Sequence, residues 1–326
     1  RAAPDGQTRP RLPSPPPTPA RPPDPPRPPR ALHPGARVAR VAPAGPLTPD
    51  QIASAEVRVR ALGFEPRVAP SAHLRDGFLA GPDAPRLADL QAAFDDPETD
   101  AVWALRGGYG CTRIVDALNL RRQLADPIPF IGFSDNTALH ARHGTLGIVS
   151  FHGPHPGGEG SAEADAWLAR LLSRTDPPGP VPSRAGDPPA RTLAGGVAEG
   201  RLVGGNLALL AALCGTRDAV VARGRILVLE DVGEPAYRVD RMLGQLLRSR
   251  ALDGVAGLAF GRFTEADDDA AVESVLRRYA EELGVPAVIG LPFGHTRHNF
   301  ALPLGARARL DGDGAQLVLL EAGVTR

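Results

Sequence analysis

Residues 127–144, PIPFIGFSDNTALHARHG, place a serine where it could do chemistry. The apolar run from Ile128 to Ile131 reads as a short buried strand, Gly132 turns the chain, and a helical segment begins at Thr137. Ser134, Asp135 and Asn136 therefore fall on the turn. One reading is a helix cap, because Ser, Asp and Asn side chains accept the free amide N–H groups at a helix start. The other is a nucleophile, exposed on a tight strand-to-helix turn and aimed at the positive end of the helix dipole. The stretch alone favours the cap.

A serine nucleophile needs a base, and the chain has eight histidines. His33 and His73 lie in loop-like stretches, and His140 and His143 read as a solvated helix end. His152 and His155, in FHGPHPGG, follow a strand and could pack or line a cleft. His295 and His298, in LPFGHTRHN, follow a strand and a glycine turn, a placement that favours function over packing. An orienting carboxylate belongs at a rigid strand end. RILVLEDVGEP offers Glu230 and Asp231 there, equally readable as an ordinary acidic loop. The glycine-rich LRGGYGCTR, residues 105–113, follows a strand and could present amide N–H groups to an oxyanion or a phosphate, or be a plain tight turn. It matches neither G-x-G-x-x-G nor the P-loop pattern.

Positioning these residues requires a layered fold. Strands at Val38 to Val41, Glu65 to Val68, Ala101 to Leu105 and Pro129 to Ile131 alternate with helices at Gln51 to Leu62, Pro85 to Phe94, Arg113 to Asn119 and from Thr137. Such alternation predicts a parallel sheet covered by helices, a Rossmann-like α/β domain over residues 31–172. Residues 173–195, rich in Pro, Gly and Asp, read as an interdomain linker. Beyond them GRILVLED, GVAGLAFGRF, PAVIGLPFG and AQLVLLEAG are short strands with helices at Tyr237 to Arg248 and Ala270 to Leu283 between them. They predict a smaller mixed α/β domain over 196–326. Residues 1–30 are dominated by Pro and Arg and predict a disordered or polyproline II tail, with a PxxP ligand as the functional alternative.

Composition closes off other chemistries. The chain has 326 residues, 42% of them hydrophobic, enough for two cores. Its formal net charge is zero, which gives no basis for nucleic-acid or membrane-surface binding. Lysine is absent, so there is no Schiff-base lysine, P-loop lysine or Ser-Lys dyad. Two cysteines, Cys111 and Cys214, are too few for a disulfide framework or a cysteine zinc site, and no H-E-x-x-H spacing suggests a metal. No run approaches the roughly 18 apolar residues of a membrane span. A soluble cytoplasmic protein without a cofactor is the expectation.

In order and approximate spacing, PGARVARVAPAGP, AVWALRGGYGCTRIVDALN, PFIGFSDNTALH, FHGP, GRLVGGNLALL, LVLEDVGEPAYRVDRMLGQL and GLPFGHTRHNFALPLG resemble the LD-carboxypeptidases. These are muramoyltetrapeptide carboxypeptidases, a serine-peptidase family that includes the microcin C immunity proteins. The resemblance runs from about residue 31 to the C-terminus. It implies Ser134 as nucleophile, Glu230 as carboxylate and His295 as base, with the amide N–H groups of Gly108 and Asp135 as oxyanion hole. It implies an active site in the cleft between the domains, and a homodimer. It also implies removal of the terminal D-alanine from muropeptides during peptidoglycan recycling. Capping and catalysis are compatible, with Asp135 or Asn136 capping the helix while Ser134 attacks.

For the substrate's free carboxylate, Arg106 and Asn206 are candidates by location. The immunity branch, acting on peptidyl- or aminoacyl-nucleotides, uses an aromatic between the domains. No Phe, Trp or Tyr occurs here between Trp167 and Tyr237, which favours the peptidoglycan branch. A non-catalytic module holding an anion at the glycine turn is the alternative of another class.

Overall fold

The computed structural model describes residues 25–158, 160–184 and 186–326. In chain order the strands are β1 Arg37–Val41, β2 Glu65–Val68, β3 Ala101–Ala104, β4 Phe130–Gly132, β5 Ser150–His152, β6 Gly179–Pro180, β7 Arg191–Ala194, β8 Val197–Asn206, β9 Arg225–Val232, β10 Gly257–Thr264, β11 Ala287–Ile289, β12 Leu302–Leu304, β13 Arg307–Asp311 and β14 Gln316–Leu319. They form two sheets, ordered β12-β5-β4-β3-β1-β2 and β6-β14-β13-β8-β9-β10-β11-β7. In the first sheet every pairing is parallel except β12 with β5. In the second, β8, β9, β10 and β11 run parallel, and antiparallel strands flank them. The α/β fold with a parallel N-terminal sheet and a mixed C-terminal sheet is as the alternation predicted.

Alternation along single strands assigns side chains to cores. In β9 every residue from Arg225 to Asp231 is buried; Ile226 and Val228 enter the core that also holds Trp103, Phe151, Trp167 and Phe293, while Leu227 and Leu229 enter the core under the helices Ala236–Arg248 and Asp269–Leu283. Successive residues of a strand point to opposite faces, so Glu230 continues the face of Ile226 and Val228, toward the first sheet, and Asp231 the other. Large side chains such as Trp103, Phe151 and Phe293, fully buried where the sheets meet, each contribute about 1.5–3 kcal/mol by leaving water.

Four sequence readings change. The expected linker over 173–195 supplies β6 and β7, the two edge strands of the second sheet; edges tolerate the prolines that hid them. Strand β12 lies in the C-terminal half yet completes the first sheet, with Leu302 opposite His152. Most of the Pro/Arg-rich tail lies outside the described residues, but its end is paired: Arg27 bridges to Ile148 and Arg30 to Thr325. The helix expected at Arg113 to Asn119 is a short helix Cys111–Ile114 followed by a 3₁₀ turn Val115–Ala117. Among the described residues, no helix is long and apolar enough to cross a membrane.

Candidate active site

Ser134 leaves β4 on a 3₁₀ turn, Ser134–Asn136, with φ 59°. A left-handed backbone at a non-glycine residue costs about 1–3 kcal/mol and persists where the surroundings enforce it. Here it turns the hydroxyl to His295, whose Nε2 lies 3.1 Å from Ser134 Oγ. On the other side of the ring, His295 Nδ1–H donates to Glu230 Oε2 at 2.6 Å. Glycines make the approach close enough. An ideal Cβ at Gly107 would lie 2.8 Å from Ser134 Cβ and 2.9 Å from its Oγ, and one at Gly294 2.6 Å from Glu230 Cβ.

The electrostatics follow from burial and pairing. Glu230 is fully buried. Burial alone would raise its pKa, but the imidazoles of His152 and His295 more than offset this and bring it down to about 2. For His295, burial works toward a lower pKa, and the hydrogen bond and charge of Glu230 outweigh it, so the ring titrates above its ordinary value. Asp231, one residue on, is pushed up to about 6 by burial and then by the Glu230 charge. It faces the other side, where it accepts from Asn206 Nδ2, Ala208 N and Val232 N, each at 2.9 Å. Only Glu230 of the acidic pair therefore enters the site.

The elbow is braced by residues that carry no definite part in the sequence reading. His155 Nε2 accepts from the Phe133 amide at 3.3 Å and from Asn136 Nδ2 at 3.0 Å. Burial, then the positive side of His295, holds its pKa well below the ordinary value, which keeps that acceptor free. The FHGPHPGG stretch carried the signal, as a cleft-lining possibility only. His140 and His143 are buried rather than solvated. His140 lies 2.7 Å from Gly132 O and 2.8 Å from Ser150 Oγ, and His143 lies 2.7 Å from Leu139 O and stacks on Phe130. Burial lowers both pKa values, that of His143 to about 4. His298 belongs to a different contact, with Nδ1 2.9 Å from Asp187 and Nε2 3.0 Å from Arg184.

The remaining predicted residues divide. Gly108, with φ 112°, follows the glycine that abuts Ser134. Asp135 is the second residue of the 3₁₀ turn, where the first amides have no partner within the helix. Neither Asp135 nor Asn136 caps the helix Thr137–Thr145, which has no side-chain cap. The Asp135 carboxylate instead accepts the Cys111 amide at 2.8 Å, and the Asn136 amide group spans Arg106 O, Phe133 O and His155. Short polar side chains are drawn inward here because the turn packs against the glycine loop. Arg106 is half-buried beside that loop, with Nη1 donating to Pro46 O at 2.8 Å. Asn206 is buried and committed: Nδ2 donates to Asp231 and Oδ1 accepts from Leu209 N. Among the described residues, no cluster of three or more His, Cys, Asp or Glu could hold a metal ion.

A half-buried hydroxyl paired to an imidazole that is itself paired to a buried carboxylate can attack a carbonyl carbon and pass a proton to a leaving group. Known proteins share the framework. The family models described as LD-carboxypeptidase N-terminal domain and LD-carboxypeptidase C-terminal domain match residues 38–153 and 199–310. The murein tetrapeptide carboxypeptidase of Pseudomonas aeruginosa is 36% identical, over 85% of this chain and 94% of its own. A crystal structure of muramoyltetrapeptide carboxypeptidase from Oxalobacter formigenes superposes with a TM-score of 0.73 at 30% identity, covering 87% of this chain and 98% of that one. The structure of MccF in complex with glutamyl sulfamoyl guanosine shares the fold, with a TM-score of 0.79 at 20% identity over 91% and 99% of the two chains. Matched in both halves and over most of its length, the chain belongs to the LD-carboxypeptidase family of serine-type peptidases.

Proposed function

We propose that the protein is a serine LD-carboxypeptidase that removes the terminal D-alanine from muropeptide tetrapeptides, with Ser134 as nucleophile, His295 as base and Glu230 as orienting carboxylate. The observation that carries this reading is the continuous relay from Ser134 Oγ to His295 Nε2 at 3.1 Å and from His295 Nδ1 to Glu230 Oε2 at 2.6 Å. Its support from relatives is the murein tetrapeptide carboxypeptidase at 36% identity. Ser134 Oγ attacks the carbonyl that joins an L-centre to D-alanine while His295 Nε2 takes its proton. The N–H groups of Gly108 and Asp135 stabilise the oxyanion. His295 returns the proton to the D-alanine nitrogen, the C–N bond breaks, and an acyl-serine remains. Water, deprotonated by the same ring, then releases the shortened peptide. The triad itself supplies nucleophile and base, so no step calls on a metal. In this reading the substrates are cell-wall fragments recovered into the cytoplasm, and the enzyme works as a homodimer.

A second reading, hydrolysis of aminoacyl-nucleotide analogues, draws on one observation. Exposed Phe78 and Tyr109 pack edge to face, centroids 5.6 Å apart, where Tyr109 follows the Gly107–Gly108 turn. They form an aromatic surface outside the segment that lacks one.

The test is mass spectrometry of product release from L-Ala–γ-D-Glu–meso-diaminopimelate–D-Ala, in EDTA, for wild type and Ser134→Ala. Loss of one D-alanine by wild type, with turnover reduced on the order of 10⁴-fold or more in the variant, is the expected result. Near-normal activity of Ser134→Ala overturns the assignment. Cleavage of an aminoacyl-nucleotide but not of the tetrapeptide transfers it to the second reading.

A further inference from the structure

The second oxygen of the Glu230 carboxylate is the one polar atom of the relay without a partner. Oε2 accepts from His295, whereas buried Oε1 has no hydrogen-bond partner among the described residues. A buried carboxylate oxygen left bare is unfavourable, and native folds rarely leave one. Facing Oε1 is His152 Nε2, 3.7 Å away. His152 is fully buried, and neither of its ring nitrogens has a partner among the described residues. Two complementary buried groups thus face each other, each otherwise unsatisfied, across a gap that a displacement of about 0.5 Å, an ordinary thermal amplitude, closes.

We propose that His152 is a positioning residue for the triad, donating through Nε2–H to Glu230 Oε1 from the opposite sheet. The inference rests on the reading of Glu230 as the orienting carboxylate. The backbone of His152 is pinned on both sides, opposite Gly132 in β4 and opposite Leu302 in β12. Its ring is walled by Phe133 at 5.9 Å, Phe293 at 6.1 Å and His140 at 6.0 Å between centroids. His140 offers no alternative partner, because its two nitrogens already meet Gly132 O and Ser150 Oγ. The tautomer with Nε2–H gives the carboxylate its second donor and leaves Nδ1, as a bare lone pair, among rings. With both oxygens held, the carboxylate plane cannot rotate, and the plane fixes where His295 Nδ1–H must point. The first sheet, which carries Ser134, thereby also orients the carboxylate that arrives from the second.

The charge consequence is definite in sign. A donor on Oε1 draws negative charge away from Oε2, so its removal strengthens the pull on the His295 proton. The other titratable groups around the pair are His140 on the helix Thr137–Thr145, His155 after β5, Asp231 on β9 and Glu265 after β10. None of them changes in the test. His152→Phe should lower kcat about 10- to 100-fold, the range for loss of an outer-shell partner, with KM little altered, and should move the acid limb of kcat/KM to higher pH. His152→Gln, which puts an amide N–H near the same place, should recover most of kcat and return the limb toward the wild-type position.

Wild type and Ser134→Ala are run alongside on the tetrapeptide. Activity that survives Ser134→Ala brings down the parent reading. Intact dependence on Ser134, with a His152→Phe limb that stays in place or a Gln variant as impaired as Phe, brings down this inference alone. A measurement on unsubstituted protein guards against variants that do not fold. Nitrogen-15 NMR of the histidine side chains should show His152 protonated at Nε2 and bare at Nδ1, and the reverse tautomer overturns the proposal.

Discussion

Replacing Glu230 by Gln keeps the shape of the side chain and removes the charge on which the relay depends. In the native site His295 Nδ1–H donates to Glu230 Oε2 at 2.6 Å, which leaves Nε2 free to accept the Ser134 proton. A glutamine can turn its NH₂ toward the ring; the imidazole then prefers the opposite tautomer, with Nε2 protonated and useless as a base. Loss of the correct tautomer in a triad costs on the order of 10⁴-fold in kcat. The pH profile carries a second signature. Glu230 is what holds the His295 pKa above 6.5 against burial, so wild type should show an acid limb above that value. In Glu230→Gln burial is opposed only by the smaller pull of the Asp231 and Glu265 charges, and the limb should move to lower pH.

Stability gives a third. Against burial, which would raise it, the His152 and His295 imidazoles hold the Glu230 pKa down at about 2, so the ionised carboxylate contributes to stability, on the order of a few kcal/mol. Because the folded-state pKa is the lower one, this stabilisation is present above pH 4.5 and is lost as pH falls toward 2. The gap in urea stability between wild type and variant should therefore narrow as pH falls from about 5. Steady-state kinetics on the tetrapeptide from pH 5 to 9, with urea melts over the acid range, measure all three. A rate within tenfold of wild type, or an acid limb that does not move, refutes the assignment of Glu230.

Gly107→Ala tests the close approach, since the added methyl carbon would lie 2.8–2.9 Å from the Ser134 side chain. The fold should survive, because Gly107 does not need a positive φ, while kcat falls on the order of 10²-fold from misplacement of the hydroxyl; unchanged kinetics would mean that the elbow has room to spare. Asp231→Asn should lower unfolding free energy by about 1–3 kcal/mol, because its NH₂ must face one of the three N–H donors that the carboxylate accepts. Equal urea midpoints for wild type and variant would contradict that account.

Much of the first domain was legible because its signals are local. A short apolar strand, a glycine and then Ser-Asp-Asn mark a strand-to-helix turn whichever role the serine takes. The choice of Glu230 over Asp231 was also within reach, since Ile226, Val228 and Glu230 share one face of a strand whose neighbours fill a different core. What escaped depends on distant partners. His140 and His143 look solvated at helical spacing, and only the packing of Phe130 and Ser150 against their helix shows otherwise. β6 and β7 are edge strands, where proline and glycine are tolerated and the apolar pattern is weak. Local rules predict a cap at Asp135, yet the Cys111 amide, 24 residues away, takes its carboxylate. The choice between His295 and His298 needed family resemblance, because both sit in one glycine-led loop and nothing in their spacing distinguishes a base from an anchor.

The path of the chain between the sheets gives that loop its meaning. β11 ends in the second sheet at Ile289 and β12 begins in the first at Leu302, so the segment that carries His295 is suspended between them. Within it the Gly294 amide donates to Asn299 Oδ1 at 3.0 Å, which closes the turn around the histidine. The linker side is tied to the same loop through His298, Arg184 and Asp187. A buried ion pair, Arg142 with Asp218 at 3.0 Å, joins the helix behind Ser134 to the segment before β9. The sheets therefore cannot slide past one another without dragging the imidazole away from either Ser134 or Glu230. A cleft hinged only at a flexible linker would let the halves open while each kept its catalytic group in place. Here the base is itself part of the crossing, and the relay and the relative position of the sheets form one structural variable.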